Sequence, residues 1–253
     1  MTVNPVAAGG FSAAAATYAR IRPTYARPAI GAVKDLATGR VVLDLAAGTG
    51  ILTGQLLRAG LDVRSLEPLP AMARQLRLAL PDVPAALGLA EALPLVDDAV
   101  GVVTVGQGFH WFDAPAALAE IDRVLVPGGV LALLWNVRDE SVPWVAALTR
   151  LVEERTGGRP YDDHRERPWS EVVASSGRYT PLEEQRFPNP VPTTLDGVLD
   201  RLRSTSFVAA LDEPERAALI EEARATLTAS PELAGSFDYP HETVLHTCRT
   251  TPS

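Results

Sequence analysis

A strand–turn–helix pattern in residues 41–50, VVLDLAAGTG, constrains the fold most strongly. The β-branched and apolar residues up to Leu45 predict a buried strand, and the apolar segment ILTGQLL after the turn predicts a helix. Gly48 and Gly50, on either side of Thr49, permit backbone conformations closed to other residues and let a ligand approach closely. Because the first N–H groups of a helix lack intrahelical partners, the turn is predicted to bind a nucleotide-like cofactor.

The same alternation continues to residue 136 and predicts an α/β fold. Further strands are predicted in DVRSLE, PAALGLA, AVGVVTVG and VLALLWN, and helices in ILTGQLLRAG, AMARQLRLAL and APAALAEIDRVL. Strands separated by helices, with central strands apolar on both faces, indicate a parallel sheet covered on both sides. The expected fold class is therefore α/β, Rossmann-like and doubly wound, with a mostly parallel seven-stranded sheet, N-terminal lid helices and C-terminal helical insertions.

The whole chain of 253 residues is interpreted as a single domain. Residues 1–36 are predicted to form the lid helices, residues 37–136 the cofactor-binding core, and residues 137–253 the substrate-side insertions and the last strands. In the last region, the tail YPHETVLHTCRT alternates apolar and polar residues. This alternation predicts an edge strand that runs antiparallel to the others.

The N-terminal region has two interpretations. Breaks are predicted at Arg22–Pro23 and Arg27–Pro28, because the residue before a proline is disfavoured in the helical conformation. Tyr18, Arg22 and Tyr25 lie in this region. They form either a solvated arginine face with tyrosines packed on the main domain, or a lid whose aromatic and guanidinium groups close over a ligand. Both interpretations remain open at this level.

Composition excludes several functions. The net charge of −8 argues against general nucleic-acid binding, which depends on neutralising phosphates. Lys34 is the only lysine, so most mechanisms that depend on a catalytic lysine are excluded. Because Cys248 is the only cysteine, neither an internal disulfide nor a cysteine-rich metal site is expected, and no metal is predicted. The chain has no run of apolar residues long enough to span a membrane and no signal-peptide pattern, which favours a cytoplasmic protein.

The glycine turn alone does not identify its cofactor. A further glycine at Gly54 and an acid at the end of the next strand would also suit a dinucleotide. However, Asp44 lies four residues before Gly48, where a carboxylate would repel a pyrophosphate and attract the ammonium of a methionine moiety. The sequence also lacks a recognisable hydride-transfer constellation. Both features favour a cofactor with a methionine portion.

Four segments in order resemble the class I S-adenosylmethionine-dependent methyltransferases. They are LDLAAGTG, then LEP at 66–68, GLAEALPLVDDAVGVV at 88–103 and IDRVLVPGGVLAL at 121–133. The pattern F-x-x-x-A-x-x-Y-x-x-x-R-P from Phe11 to Pro23, the stretch GQGFHWFD, and the pair Ser204 and Ser206 are similar to the small-molecule branch that includes trans-aconitate methyltransferase. The resemblance implies S-adenosylmethionine as the cofactor and a small molecule as the methyl acceptor.

The resemblance also implies roles for individual residues. Glu67 would hold both ribose hydroxyls, and Pro68 and Leu69 would pack against the adenine edge. Ala90 and Glu91 would read the adenine ring. Leu89 stands where many relatives have an acid, so the contact with the adenine amino group is left to Glu91 or to water. The methionine and ribose portion would be lined by Asp44, Ala46, Gly48 and Gly50, with Ala46 at a position where glycine is common.

The loop after the fourth strand, GQGFHWFD at 106–113, is expected to face the reacting centre, because ligands of parallel sheets bind beyond the carboxyl ends of the strands. Gln107 would bond the methionine amino or carboxylate group, and His110 is the candidate general base. Phe109, Trp111 and Phe112 would wall the sulfonium and the substrate. His164 is a weaker substrate-side candidate, and His241 and His246 are interpreted as structural.

The leading hypothesis is in-line methyl transfer to a small molecule, at a carboxylate, hydroxyl, amine or carbon. A carboxylate acceptor needs no base, and the lid residues Tyr18 and Arg22 would then contact the substrate. Two alternatives are an enzyme that uses the cofactor as a scaffold for rearrangement or cyclisation, and a non-catalytic cofactor-binding partner. A nucleotide-dependent oxidoreductase ranks last. The sequence predicts neither a nucleic-acid nor a membrane partner and leaves the oligomeric state open.

Overall fold

The computed structural model describes residues 22–157 and 168–251. Its strands are β1 (Val42–Leu45), β2 (Val63–Glu67), β3 (Ala85–Leu87), β4 (Val100–Gly106), β5 (Leu125–Arg138), β6 (Glu183–Pro188), β7 (Val191–Thr194), β8 (Ser236–Tyr239) and β9 (His241–Arg249). Its α-helices are α1 (Arg27–Ala37), α2 (Ile51–Arg58), α3 (Pro70–Ala79), α4 (Ala114–Val124), α5 (Pro143–Thr156), α6 (Trp169–Ala174), α7 (Leu195–Arg203), α8 (Ser206–Ala209) and α9 (Glu213–Thr228). Short 3₁₀ turns lie at Phe109–Trp111 and Pro231–Leu233.

Within these residues, seven strands form one sheet in the order β3-β2-β1-β4-β5-β9-β6. Strands β1 to β5 are parallel, whereas β9 runs antiparallel to both of its neighbours. This confirms the predicted Rossmann-like α/β class. The chain builds the sheet outward from β1 to β3 and then returns to place β4 on the other side of β1. The carboxyl ends of β1 and β4 therefore border the crevice where open α/β sheets bind ligands.

Both faces of the sheet are buried, as the apolar strands predicted. Adjacent residues of one strand belong to different clusters: Val42 packs with α1 and α2, whereas Leu43 packs with α4 and α6. Leu134 and Leu245 lie on the first face, and Trp135 lies on the second. This double covering explains why the strand sequences are continuously apolar.

The prediction that the tail strand lies at the sheet edge is wrong. Strand β9 lies between β5 and β6, and β6 is the edge strand. The polar residues that suggested a solvent-facing side, His241 and Thr243, are 3% and 0% exposed. Thr243 is buried because its hydroxyl donates to Asn136 Oδ1 at 2.6 Å. A buried polar network therefore produced the same alternation as an exposed strand face.

The residues after β5 form a helical cap at the carboxyl edge of the sheet. Helices α5, α7 and α9 and the β7–β8 pair share their own apolar cluster. The segment from β7 to β8 connects the end of β6 to the start of β9, and both of these strand ends lie at that edge. Asp212 caps the start of α9, because its Oδ1 accepts from the Glu215 N–H at 2.9 Å.

Two sequence predictions lie outside the described residues: the first lid helix, with Tyr18, and the polar loop that contains His164. The second predicted break is confirmed, since α1 begins at Arg27 with Pro28 in its first turn. Among the helices of the described chain, none combines the length and the apolar character that a membrane span requires.

Candidate active site

The glycine turn joins β1 to α2 through residues in left-handed backbone conformations. The φ angles are +55° at Ala46, +59° at Gly48 and +86° at Gly50. Ala46 is the unexpected member, because a side chain makes this region unfavourable by roughly 1 kcal/mol or more. The same angle gives the physical reason why glycine suits this position. Such strain is found where the surrounding structure holds a functional loop in place.

The two glycines of the turn have different surroundings. A Cβ built on Gly50 would lie 3.1 Å from side-chain atoms of Leu76 and Leu80, so this glycine lets the turn pack against α3. A Cβ built on Gly48 would meet no atom within 4 Å. The backbone of Gly48 therefore borders open space, which a ligand can approach closely.

Glu67 ends β2 beside the glycine turn and is only 5% exposed. Its Oε2 accepts from the Gly48 N–H at 2.8 Å, and its Oε1 accepts from the Leu69 N–H at 2.9 Å. Burial raises the pKa of this carboxyl, and the two backbone N–H groups act in the opposite direction. Each carboxylate oxygen has a second lone-pair site, so Glu67 can accept two further hydrogen bonds in a fixed orientation.

Asp44 lies beneath the turn and is completely buried. Thr53 of α2 donates to its Oδ2 at 2.5 Å, and Thr104 of β4 donates to its Oδ1 at 3.2 Å. Burial raises its pKa to about 7, although both hydroxyls lower it and Glu67 adds a small electrostatic increase. The carboxylate therefore ties β1 to α2 and β4 and is not an open surface group.

Thr49 is a functional candidate that the sequence did not single out. Its side-chain oxygen is buried in the glycine turn and has no hydrogen-bond partner within the described part of the chain. The residue as a whole is 5% exposed. Because a buried hydroxyl without a partner is destabilising, such a group in a native fold calls for an explanation such as a ligand or an ordered water. The signal in the sequence was its place between Gly48 and Gly50.

The loop after β4 contacts the glycine turn directly. A Cβ built on Gly108 would lie 3.1 Å from the Ala46 Cβ, so the absence of a side chain there lets the two loops meet. Gln107 has a φ of +57°, and its backbone N–H donates to Leu134 O at 2.9 Å. Its side-chain Nε2 donates to Asn136 O at 3.1 Å. Their contact is consistent with the prediction that this loop and the turn share one edge of the sheet.

Within this loop, the aromatic residues divide between the core and the crevice. Phe109 is 1% exposed and packs edge-on against Phe112 and Trp169, with centroids at 5.7 and 5.3 Å. Its predicted role as a wall of the substrate site is therefore wrong: it anchors the loop to the core. His110 and Trp111 are half-buried, and their ring centroids are 4.8 Å apart. These two rings remain at the rim.

The segment after β3 approaches the same loop. Ala90 is 4% exposed, and Glu91 is half-buried. The Glu91 carboxylate accepts from the Asp113 N–H at 2.9 Å, just before α4. Glu91 therefore connects the predicted adenine-binding segment to the end of the His110 loop. Pro68 is half-buried between Glu67 and Leu69, the residue whose N–H orients the Glu67 carboxylate.

Tyr25 is a core residue, which fits the first of its two interpretations, a tyrosine packed on the main domain. It is 6% exposed, and its backbone N–H and C=O both bond the Gln55 side chain at 2.8 Å. A Cβ built on Gly106 would come within 2.5 Å of the Tyr25 hydroxyl oxygen. The tyrosine therefore packs against the carboxyl end of β4. Arg22, the first described residue, is half-buried.

Asn136 holds the N-terminal segment at this edge of the sheet. Its Nδ2 donates to the carbonyls of Pro23 and Thr24 at 3.3 and 3.1 Å. Its Oδ1 accepts from Asn189 at 3.0 Å and from Thr243 at 2.6 Å. One side chain thus links the entrance of α1, the β6–β7 connection and β9. Sequence reasoning missed it because its partners are 53 to 113 positions away in the chain.

Known proteins resemble this chain in both sequence and fold. A family model described as a methyltransferase domain matches residues 43–133. An uncharacterized methyltransferase of Mycobacterium tuberculosis is 38% identical over 226 residues, which are 89% of this chain and 88% of that protein. This match extends well beyond the segment from the glycine turn to β5.

Solved structures share the fold. A protein described as a type II methyltransferase from Anaeromyxobacter dehalogenans has a TM-score of 0.67 at 25% identity, covering 91% of this chain and 97% of that one. A phosphoethanolamine N-methyltransferase of Haemonchus contortus, solved with S-adenosylhomocysteine, has a TM-score of 0.60 at 15% identity and covers 100% of this chain and 61% of that one. The second likeness shows the fold alone.

Proposed function

This chain belongs to the class I S-adenosylmethionine-dependent methyltransferases, and we propose that its methyl acceptor is a small molecule. The observation that carries the proposal is the helical cap: α5 follows the carboxyl end of β5, and the insertion from β7 to β8 starts and ends at the same sheet edge. A cap over this edge narrows the approach to the crevice, which suits a small acceptor better than a polymer. The net charge of −8 also disfavours a nucleic acid.

The proposal includes the finer resemblance to the branch that contains trans-aconitate methyltransferase. It also includes the division into an N-terminal segment of residues 1–36, a cofactor core of residues 37–136 and a substrate-side region of residues 137–253. The separate apolar cluster of the cap supports this division, and the pairing of β6 and β9 within the main sheet supports a single domain.

The residues around the turn fit S-adenosylmethionine. Glu67 presents two oriented carboxylate oxygens, which suit the two hydroxyls of a ribose. Open space before Gly48 lets the cofactor approach the backbone, and the partnerless Thr49 hydroxyl offers it a hydrogen bond. Ala46 and Gly50 shape the turn. The adenine ring would lie against Pro68, Ala90 and Glu91.

Two polar residues are assigned supporting roles toward the methionine portion. Asp44 is completely buried and bonded to two threonines, so it acts by bracing the turn. Gln107 already donates its Nε2 to Asn136, which leaves its Oε1 to accept from an ammonium group. The role of Asp44 differs from the lining contact that the sequence suggested, whereas the role of Gln107 is one of the two that it predicted.

The bound cofactor supplies a methyl group activated on a sulfonium, which a lone pair on the acceptor displaces in line. The residues of the chain mainly have to align the acceptor, and such alignment contributes several kcal/mol to lowering a barrier. His110, at the rim of the crevice, is the group assigned to take a proton from a hydroxyl or amine acceptor. A carboxylate acceptor has no such proton. Arg22 would then contact the acceptor, together with Tyr18, which lies outside the described residues.

The acceptor class can be tested by following the methyl group. The full-length protein is incubated with S-adenosylmethionine labelled in the methyl group and with a cell extract separated into dialysable and macromolecular fractions. Label should enter the dialysable fraction, with one S-adenosylhomocysteine released for each methyl transferred. Label that enters only nucleic acid or protein would refute the proposed acceptor class. Consumption of the dialysable substrate without release of S-adenosylhomocysteine would instead indicate a scaffold role for the cofactor.

A further inference from the structure

His241 lies where the helical cap meets the carboxyl edge of the sheet. It begins β9, pairs with Arg138 at the end of β5, and is 3% exposed. Its ring lies 4.4 Å from that of Tyr239, a residue of the cap cluster. Since side chains alternate along a strand, His241 shares a sheet face with Thr243 and Leu245, the face covered by α1. A histidine so enclosed needs partners for both of its nitrogens.

Among the residues that the structure describes, only one of the two ring nitrogens has a hydrogen-bond partner. Nδ1 lies 2.9 Å from the Tyr239 carbonyl oxygen, an acceptor, so Nδ1 carries the proton and donates it. Nε2 is then an unprotonated acceptor, and it is buried without a hydrogen bond. Burial lowers the pKa of this imidazole to about 3, with a smaller contribution from Arg201 and a lesser one from Arg138. The ring is therefore neutral near pH 7.

Two guanidinium groups flank this acceptor. Arg138 occupies the cross-strand position opposite His241, and its Nη1 contacts Thr149 Oγ1 of the cap at 3.5 Å. Arg201 lies over the Tyr239 ring, with its guanidinium carbon 5.4 Å from the centroid. The nearest acid in sequence to Arg138, Asp139, directs its carboxylate to Ser141 at 2.6 Å. Within residues 22–157 and 168–251, no carboxylate forms an ion pair with Arg138.

Hydrogen bonds connect His241 to the cofactor crevice. The Asn189 N–H donates to the His241 carbonyl at 2.7 Å, and the Asn189 side chain donates to Asn136 Oδ1 at 3.0 Å. Asn136 O in turn accepts from Gln107, in the loop that touches the glycine turn. His241 and the crevice therefore lie along the same edge of the sheet, linked through Asn189 and Asn136.

We propose that His241, Arg138 and Arg201 bind the methyl acceptor, and that this acceptor carries a carboxylate with a neighbouring hydroxyl or N–H group. This inference rests on the proposed function. The guanidinium groups favour an anion, but a carboxylate alone would place its lone pairs against that of His241 Nε2. A donor beside the carboxylate removes this repulsion and satisfies the buried nitrogen. His241 is then a substrate-binding residue in addition to its structural role in β9.

Glycolate, a small hydroxy carboxylate, is the probe. The full-length protein, labelled with ¹⁵N in its four histidines and saturated with S-adenosylhomocysteine, is titrated with glycolate and followed by NMR of the ring nitrogens. The His241 resonances are assigned by their loss in His241→Phe. Glycolamide, which has the same hydroxyl but no charge, is the matched control ligand. His246→Phe is the matched histidine control, because His246 lies on the opposite face of the sheet.

Glycolate should shift the His241 Nε2 signal saturably, and glycolamide should not. Arg138→Gln should weaken this binding about 10- to 100-fold, the effect of losing a hydrogen bond to a charged group. Arg186→Gln, an exposed arginine on β6 that pairs with Glu184 and Glu242, should leave it unchanged. Equal shifts from both ligands, or wild-type glycolate affinity in Arg138→Gln, would overturn the inference.

Failure of the acceptor inference can be distinguished from failure of the proposed function. If S-adenosylhomocysteine binds and glycolate leaves His241 unchanged up to about 50 mM, far above a millimolar Kd, the acceptor inference fails while the proposed function stands. If S-adenosylhomocysteine itself produces neither heat nor a thermal shift, the proposed function fails. Loss of the fold in His241→Phe affects only the assignment of resonances, because Arg138→Gln tests binding independently.

Discussion

Replacing Thr49 with valine is expected to stabilise the cofactor-free protein while weakening cofactor binding. The Thr49 hydroxyl is buried without a partner in the glycine turn. A buried polar group in this state costs about 1–3 kcal/mol, and valine keeps the branching at Cβ while it removes the hydroxyl. The free energy of unfolding should therefore not fall, and it should rise by up to about this amount.

The affinity for the cofactor should change in the opposite direction to the stability. A hydrogen bond from the cofactor to Thr49 contributes about 0.5–1.5 kcal/mol, so Thr49→Val should raise the Kd of S-adenosylhomocysteine roughly 2- to 10-fold. Thr49→Ser keeps the hydroxyl and is the matched control, with affinity close to wild type. The assays are urea unfolding of the free protein and calorimetric titration. A valine variant that unfolds at lower urea concentration, or that binds with wild-type affinity, would refute the reasoning.

Two further substitutions test the support of the site. Asp44→Asn should change how stability depends on pH. Burial raises the pKa of Asp44 in the folded state to about 7, above its unfolded value of 3.8. The free energy of unfolding of the wild type should therefore fall by on the order of 4 kcal/mol as pH rises through this window, and that of the variant should fall less. Equal slopes in urea unfolding between pH 4 and 8 would contradict this assignment. Asn136→Ala removes hydrogen bonds to Thr24, Asn189 and Thr243 and should destabilise the protein by about 2–4 kcal/mol. Asn189→Ala, the control, should destabilise it less. A loss below about 0.5 kcal/mol for Asn136→Ala in urea unfolding would refute the linking role.

The part of the fold that sequence predicts well depends on local interactions. The β1–α2 turn was recognisable because strand, glycines and helix are contiguous, and the glycines do adopt left-handed angles. Glu67 was predictable from its distance to the turn, and its carboxylate does bond the turn at Gly48. In both cases one short segment contains nearly all the residues that determine the conformation.

The mistaken predictions involve contacts between distant segments. Phe109 is a core residue because Trp169, 60 positions later, packs against its ring. For Tyr25 the sequence left packing and a lid role open, because its burial depends on the distant Gln55 and Gly106. Strand β9 resembled an edge strand because its polar residues are buried by tertiary hydrogen bonds. Periodicity cannot distinguish a polar residue that faces water from one that bonds a distant strand.

Prediction of the site from sequence has the same limit, because it misses contacts between distant segments. Position in the sequence predicted that Gly48, Glu67 and His110 lie near one another, since each lies at or just beyond the carboxyl end of a strand. It could not reveal that Asp44 and Gln107 already use polar atoms within the protein. Nor could it reveal the partnerless nitrogen of His241, because that state depends on burial by the cap and on the Tyr239 carbonyl.

Calorimetric titration of wild-type and Glu67→Gln protein with S-adenosylhomocysteine tests most directly whether the crevice beside the glycine turn holds the cofactor. Glutamine keeps the size of Glu67 but loses its charge and one acceptor, so the Kd should rise about 100-fold, as expected for the loss of hydrogen bonds to a charged group. Glu120→Gln is the control, since Glu120 also accepts a backbone N–H, from Leu93, but lies on α4. Wild-type binding with a roughly 100-fold loss only in Glu67→Gln is the predicted result. No binding by the wild type, or equal affinity in folded Glu67→Gln, would contradict it.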